Sequence, residues 1–147
     1  RLQGDWSSDV CSSDLNYLSA RVSKKVVFKT TTIGASFEAY LNTALFSWVI
    51  ENLIKNAVDS MQAEGNLNIT ISEQKEFIEI DVSDSGKGIP SSKLKTVFEP
   101  GYTTKQRGWG LGLSLAKRII EDYHNGKIFV KSSQIDIGTT FRIVLNK

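Results

Sequence analysis

Two asparagines four residues apart, Asn52 and Asn56, have a type and spacing that suggest chemistry. In the stretch WVIENLIKNAVDSM they fall with Asp59 on one stripe of a predicted helix, apart from the broad apolar face that would pack on a sheet. Asparagine is a poor helix former, so the pair needs a reason. A neutral amide oxygen is a hard ligand that suits Mg²⁺, directly or through its water shell. The alternative is that both amides satisfy the backbone of a neighbouring loop.

A carboxylate at the end of a predicted strand is the second candidate. In IEIDVSDSGKGIP the strand runs into Asp84, and Gly86 and Gly88 follow. A carboxylate in an apolar pocket can accept a hydrogen bond from the exocyclic amine of adenine, and the glycines leave room for the flat base. The stretch GTTF could place the hydroxyl of Thr139 or Thr140 beside the same base edge. The alternative is an Asp-Ser-Gly turn, in which the aspartate bonds its own backbone.

Three glycines in RGWGLGLSLAK form the third candidate, at Gly108, Gly110 and Gly112. They do not match a dinucleotide-binding fingerprint, because position 113 is Leu113 and no strand precedes them, and no P-loop spacing occurs in the chain. Glycines nevertheless let backbone N–H groups approach phosphate oxygens, and a helix that begins there adds the positive end of its dipole. The alternative is a glycine-rich helix entry without a ligand.

Composition limits the classes of protein that these residues could serve. The chain has 147 residues, a net charge of +2 and one cysteine. We therefore expect one domain without a disulfide framework, from a reducing compartment. No basic block marks a nucleic-acid surface, and no apolar run approaches the roughly 20 residues of a membrane span. We expect no nucleic-acid partner and a fragment that is not embedded in a membrane.

The elements that must position the candidates are helices and strands on either side of a long polar segment. The pattern predicts an α+β fold, a two-layer α/β sandwich with a mixed, mostly antiparallel sheet and helices on one face. Asn42 should cap the helix that contains both asparagines. In chain order we predict strands at KKVVFKT and SFEAYL, a helix over 42–61, a turn at 64–66, a hairpin of LNITISEQ and FIEIDVSD, a short helix at SSKLKTVF, a helix over 111–123 and strands at KIFVKSS and TTFRIVLN.

The first residues differ from the rest of the chain. Residues 1–15 repeat Ser-Ser-Asp and show no sustained period, which predicts a disordered or non-native tail. The stretch resembles translated sequencing-adapter read-through, and a flexible native linker is the alternative. We expect a linker at 16–23 and the globular domain at 24–147.

Taken in order, ENLIKNAVDS, DSGKGI, FEPGYTTK, GWGLGL and GTTF resemble the N box, first glycine box, F box, second glycine box and last box of the catalytic domain of bacterial sensor histidine kinases. The resemblance covers about residues 24–147. It implies the GHKL (Bergerat) nucleotide-binding sandwich shared with gyrase, MutL and heat-shock chaperone ATPases. ATP would then lie beneath a lid at about residues 90–107.

The resemblance also implies roles for individual residues. Asn56 would ligate Mg²⁺ with Asn52 assisting, Asp84 would contact adenine, and Lys105 would reach the phosphates from the lid. The remaining implied nucleotide-binding positions are Asp59, Gly86, Gly88, Ile89, Phe98, Thr103, Thr104, Gly108, Gly110, Leu111, Gly112, Leu113 and Thr139, of which Phe98 would anchor the base of the lid. Trp109 departs from the family pattern, in which this position is often small or polar.

The implied activity is transfer of the γ-phosphoryl group of ATP to a histidine in two-component signalling. The only histidine, His124 in EDYHNGK, lacks the context of a phosphoacceptor, and we interpret it as a partner of a helix C-terminus. We therefore expect a cytoplasmic domain, with the phosphoacceptor on a separate dimerisation domain and a response regulator as a further partner. We expect the parent protein to be a homodimer, and an inner-membrane sensor is one alternative for it. The alternatives are an anti-sigma-factor-type serine kinase and a non-catalytic ATP-gated interaction module.

Overall fold

A five-stranded mixed sheet forms one layer of the protein, and two helices cover one of its faces. The computed structural model describes residues 4–7, 24–34, 38–102 and 111–147. Its elements in chain order are β1 (Gly4–Ser7), β2 (Val26–Ile33), β3 (Glu38–Leu41), α1 (Thr43–Ser60), β4 (Gly65–Glu73), β5 (Phe77–Asp84), two 3₁₀ turns (Ser91–Lys93 and Thr96–Phe98), α2 (Gly112–Arg118) continued by one π turn (Ile119–Tyr123), β6 (Lys127–Gln134) and β7 (Gly138–Asn146).

The strand order of the sheet is β2-β4-β5-β7-β6. β2 pairs with β4 in parallel, and the other neighbours are antiparallel. The register places Asp84, at the end of β5, opposite Thr139 near the start of β7. The predicted α+β sandwich is confirmed, and the two candidate segments DSGKGI and GTTF meet at one end of neighbouring strands.

Alternation along the strands separates the two faces of the sheet. In β5 the side chains of Ile78, Ile80 and Val82 are buried under the helices. Those of Glu79 and Asp81 point to the other face, because successive residues of a strand face opposite sides. The core consists of these apolar side chains and the apolar stripes of α1 and α2, and Phe46, Val49, Leu53 and Ile120 are among its most deeply buried members.

Helix α1 begins as the sequence predicts and ends slightly earlier. Asn42 is the N-cap, and its side-chain oxygen accepts a hydrogen bond from the backbone N–H of Leu45 at 3.1 Å. The chain leaves the helix through a turn at 61–63, in which Gln62 and Ala63 have positive φ angles of 55° and 60°. The predicted turn at 64–66 was thus placed too late, because Gly65 already belongs to β4.

The segment between β5 and α2 differs from its prediction. One short helix was expected at SSKLKTVF, and the structure has two 3₁₀ turns there. Such turns are the usual form of short helical connections. The second turn buries Val97 and Phe98 together against the core.

The second helix is less regular than the predicted helix over 111–123. It begins at Gly112, and its last turn over Ile119–Tyr123 has π geometry. Asn125, with a φ angle of 52°, follows and turns the chain toward β6. No helix in the described part of the chain is long and apolar enough to cross a membrane.

A short strand lies within the segment for which the sequence predicts disorder. The backbone of β1 pairs in antiparallel fashion with β3, with Gly4 opposite Leu41 and Ser7 opposite Glu38. No periodicity of the sequence indicates this strand. The origin of residues 1–15 stays a prediction.

Candidate functional site

Asp84 is the centre of a hydrogen-bonded cluster where β5 ends. Its Oδ1 accepts from the backbone N–H of Gly86 at 2.9 Å, the hydroxyl of Ser60 at 3.3 Å and the backbone N–H of Thr139 at 3.3 Å. Among the described residues, these hydrogen bonds all end on the same oxygen. Oδ2 is therefore the carboxylate oxygen left for a ligand.

The bond from Gly86 to Asp84 is the Asp-Ser-Gly turn that the sequence left as an alternative to an adenine contact. The turn is present, and it uses one oxygen only. A turn and a ligand contact can therefore coexist on this carboxylate, because an ionised carboxylate accepts through two oxygens.

Burial raises the pKa of Asp84 above its usual range, although the hydrogen bonds from Gly86, Thr139 and Ser60 oppose this shift. The carboxylate is thus held in a poorly solvated place. A donor that reaches it exchanges few water contacts for a charge-assisted hydrogen bond, which strengthens the interaction. The electrostatics suit a neutral amine donor such as that of adenine.

The glycine loop that follows Asp84 is held between α1 and the β6–β7 turn. The backbone N–H of Lys87 donates to the carbonyl of Ser60 at 3.1 Å, and the N–H of Asp136 donates to the carbonyl of Lys87 at 2.9 Å. A Cβ at Gly86 would overlap the Ser60 hydroxyl, and Gly88 has a φ angle of 77°. A glycine at each position is therefore required by contacts with the protein itself, in addition to any room that they leave for a base.

Ser133 connects this loop to β7. Its hydroxyl accepts from the backbone N–H of Ile89 at 2.7 Å and lies 2.8 Å from the hydroxyl of Thr139. Thr139 is buried, whereas Thr140 pairs with Ser83 on the opposite face of the sheet at 2.7 Å. Of the two threonines considered from the sequence, Thr139 is the one that the structure brings to Asp84.

The second part of the site is the contact between α1 and the start of α2. Asn52 is half-buried, and its amide oxygen lies 2.8 Å from the position that a Cβ would take at Gly112. The NH₂ group of Asn52 is buried and has no hydrogen-bond partner among the described residues. Asn56 is also half-buried on α1, and Asp59 is exposed near the end of the helix.

The buried amide of Asn52 tests whether the residues fit the implied nucleotide and ion. An orphaned buried donor is costly unless a ligand satisfies it, and a phosphate oxygen is a suitable acceptor. The described residues include no group of three or more His, Cys, Asp or Glu side chains that could hold a metal ion. These residues thus fit a phosphorylated compound whose own phosphate oxygens would complete the coordination of an ion beside the asparagine amides.

Phe98 lies where the resemblance would place the base of the lid. Its ring packs edge-on against Phe141 of β7, with centroids 6.0 Å apart, and the ammonium group of Lys117 lies 5.5 Å from its centroid. Phe98 is therefore fixed between α2 and the sheet. Leu113 packs on the core and Leu111 is exposed, at the entrance to the same helix.

Several predicted positions cannot be compared with the structure. The lid residues Thr103, Thr104 and Lys105 and the glycines Gly108 and Gly110 lie outside the described residues, as does Trp109. Their roles stay predictions.

Three residues of the cluster were missed from the sequence: Ser60, Ser133 and Gly138. A Cβ at Gly138, where φ is 145°, would overlap the carbonyl of Asp84. Ser60 follows Asn52 and Asn56 at the same four-residue spacing, so the helical stripe could have revealed it. Gly138 opens the GTTF stretch that the sequence already singles out, whereas Ser133 carries no local signal because it reaches the site through strand pairing.

Comparison with known proteins identifies the family and supports the fold. Residues 42–147 match the family described as histidine kinase-, DNA gyrase B-, and HSP90-like ATPase. Sporulation kinase A of Bacillus subtilis (strain 168) is 44% identical over 99 residues, which are 67% of this chain and 16% of that protein. The catalytic domain of histidine kinase ThkA superposes with a TM-score of 0.86 and 26% identity over 99% of this chain and 95% of that one. Histidine kinase ThkA in complex with response regulator protein TrrA superposes with a TM-score of 0.83 and 24% identity over 99% of this chain and 42% of that one.

The mixed sheet, the half-buried carboxylate at its end, the asparagine helix above it and the family match define the class as an ATP-binding α+β domain. The chain belongs to the histidine kinase-, DNA gyrase B-, and HSP90-like ATPase family, as a catalytic domain of the two-component sensor histidine kinase type. It spans 16% of the length of sporulation kinase A.

Proposed function

We propose that this domain holds Mg-ATP with its γ-phosphoryl group directed toward a histidine on a dimerisation domain. The observation that supports this most is the carboxylate of Asp84, which is half-buried and bonded by three protein donors through Oδ1 while Oδ2 remains for the adenine amine. Guanine presents an oxygen where adenine presents that amine, and a carboxylate repels it. The site should therefore select adenine nucleotides.

The other residues would contact the phosphate groups of the nucleotide and its metal ion. Asn56 would supply an amide oxygen to Mg²⁺, which neutralises phosphate charge when bound, and Asn52 would assist there and donate its NH₂ group to a phosphate oxygen. Lys105 and the glycines Gly108 and Gly110 would add charge and backbone donors on the phosphate side. These assignments rest on the amide of Asn52, buried beside Gly112, and on the family resemblance.

In the proposed reaction a nitrogen of the acceptor histidine forms a bond to the γ-phosphorus. The bond from that phosphorus to the β–γ bridging oxygen breaks, and ADP leaves with the electron pair. The acceptor nitrogen loses its proton to solvent or to a group on the dimerisation domain, since none of the site residues named above would act as a general base. The domain contributes positioning and charge stabilisation, and a response regulator would then receive the phosphoryl group.

Calorimetry with ATP tests the binding part of the proposal. Asn56→Ala should weaken ATP binding mainly when Mg²⁺ is present, because the lost ligand acts through the ion. Asn68→Ala, on an exposed position of β4, is a matched control that should leave binding unchanged. Equal affinities of the Asn56→Ala variant and the natural protein in Mg²⁺ would remove the proposed metal ligand.

Phosphotransfer tests the catalytic part. The domain is incubated with Mg-ATP and a separately expressed dimerisation and phosphoacceptor domain. Acid-labile phosphate on histidine supports the proposal. Acid-stable phosphoserine would instead indicate a serine kinase of the anti-sigma-factor type, and ATP binding without transfer would indicate an ATP-gated interaction module.

A further inference from the structure

His124, the only histidine of the chain, joins the ends of the two helices that form the site. Its Nδ1 lies 2.9 Å from the carbonyl oxygen of Ile119 in the π turn. Its Nε2 accepts from the backbone N–H of Asn42, the N-cap of α1, at 3.0 Å. The sequence predicted a partner for a helix C-terminus, and the structure adds a second partner 82 residues away in the chain.

These two hydrogen bonds fix the tautomer of the ring. Nε2 must be unprotonated to accept from Asn42, so the proton of the neutral imidazole is on Nδ1 and is donated to Ile119. An imidazolium would present an N–H to the N–H of Asn42. His124 is thus a neutral hydrogen-bond partner of the helix end, and not a cation paired with its dipole.

The bond to Asn42 satisfies a backbone N–H that α1 leaves without a helical partner. In a capping box, a glutamate or glutamine three residues after the N-cap would accept from the N–H of the N-cap residue. That position is Leu45 here, which has no acceptor, and His124 takes its place. The ring is also held in position by packing, because it lies edge-on to Phe46 with centroids 6.3 Å apart.

Helices α1 and α2 contact each other at a second place, at the start of α2. Gly112, at the start of α2, contacts Asn52, whereas the residue after the π turn contacts the start of α1. The two helices therefore run in opposite directions. The two contacts are about 15 Å apart along α1, since ten residues separate Asn42 from Asn52 and each adds about 1.5 Å.

We propose that His124, as the neutral Nδ1–H tautomer, is a positioning residue that keeps α2 in register on α1. It thereby holds Gly112 against the amide of Asn52 at the phosphate end of the site. As far as it concerns ATP, the inference rests on the proposed function. His124 acts through the helices and contacts no reacting atom.

The tautomer can be measured on the natural protein by ¹H–¹⁵N correlation of the imidazole ring, and a single histidine makes the assignment direct. The expected spectrum shows a pyrrole-type Nδ1 and a pyridine-type Nε2. The opposite pattern, or one averaged signal for two exchanging tautomers, overturns the proposal. This readout does not depend on nucleotide, so a protein that fails to bind ATP would refute the proposed function and leave this test intact.

A variant tests the effect on the site. His124→Phe keeps an aromatic ring beside Phe46 and removes both nitrogens, and Tyr123→Phe changes the exposed neighbouring residue as a control. His124→Phe should shift the backbone amide signal of Gly112 and raise the Kd for ATP about threefold to tenfold, the range expected for loss of one hydrogen bond between Asn52 and the nucleotide. The control should change neither. A folded His124→Phe protein with an unchanged Gly112 signal and an unchanged Kd for ATP overturns the proposal. If this variant does not fold, the tautomer measured on the natural protein supports or overturns the proposal.

Discussion

Replacing Asp84 with asparagine separates nucleotide binding from fold stability. The Asp84→Asn side chain keeps its shape and can keep Oδ1 as acceptor for Gly86, Ser60 and Thr139. It replaces Oδ2 with an NH₂ group, which would face the amine of adenine as a second donor. The substitution thus removes the proposed ligand contact while it preserves the contacts within the protein.

The loss in binding can be estimated from the bond that disappears. A hydrogen bond to a charged group contributes about 1.5 to 3 kcal/mol, so the Kd for ATP should rise about tenfold to more than a hundredfold. The preference for ATP over GTP should also narrow, because the amide can donate to the guanine oxygen. Calorimetry with both nucleotides measures the two effects.

Asp84→Asn should weaken ATP binding but increase the stability of the fold relative to the natural protein, and the pH dependence of stability tests this direction. Burial raises the pKa of Asp84 in the folded protein above the unfolded value of 3.8. Its protonated form therefore favours the fold, and this contribution is present below pH 3.8 and is lost as the pH rises through the folded pKa. The Asp84→Asn side chain does not ionise, so the variant does not lose stability in this way. The free energy of unfolding of the variant, relative to that of the natural protein, should therefore increase with pH across this window.

Asp81→Asn is the matched control, since Asp81 lies on β5 as well and points to the opposite face of the sheet. It should leave the Kd for ATP unchanged. An Asp84→Asn protein that is folded and binds ATP and GTP as the natural protein does would refute the argument that this carboxylate recognises adenine.

Three further substitutions test the surroundings of the site. Gly88→Ala should destabilise the protein more than Gly101→Ala in urea denaturation. Both glycines have left-handed φ angles, which cost an alanine about 1 to 2 kcal/mol, but only Gly88 also faces a backbone carbonyl of β6. Equal losses of stability in the two variants would contradict this argument. Asp81→Asn should lower Tm at neutral pH. Burial raises the pKa of Asp81, but hydrogen bonds from Arg142 and a lysine outweigh this effect and lower that pKa in the folded protein below 3.8. The difference in Tm between the variant and the natural protein should therefore shrink as the pH falls below 3.8 through the folded pKa. Ser133→Ala should cost about 1 to 3 kcal/mol of unfolding free energy, because a backbone N–H loses its acceptor, and a smaller loss in chemical denaturation would mean that water replaces the hydroxyl.

Local signals in the sequence were sufficient for the elements that carry the site. Asn42 precedes an amphipathic stretch and caps α1 as predicted. The alternation in β4 and β5 predicted a hairpin, because one face of each strand is buried and the period of a strand is two. Asp84 could be located at a strand end for the same reason.

Contacts between distant segments were beyond the reach of such signals. Ser133 meets Ile89 across 44 residues, and Thr139 meets Asp84 across 55, through the register of β5, β7 and β6. The π turn after Arg118 is equally hidden, since its residues have the pattern of a continuous α-helix.

The position of β2 at the edge of the sheet has a mechanical consequence. Its pairing with β4 extends from Val26 opposite Gly65 to Ile33 opposite Ser72, while Asp84 lies on the next strand inward. Local unfolding generally begins where few contacts must break, and opening of β2 breaks the β2–β4 ladder and the core contacts of Val26 and Phe28 while it leaves the pairing of β5 with β7 intact. Fraying of this edge strand therefore leaves the strand pair that carries the carboxylate in place.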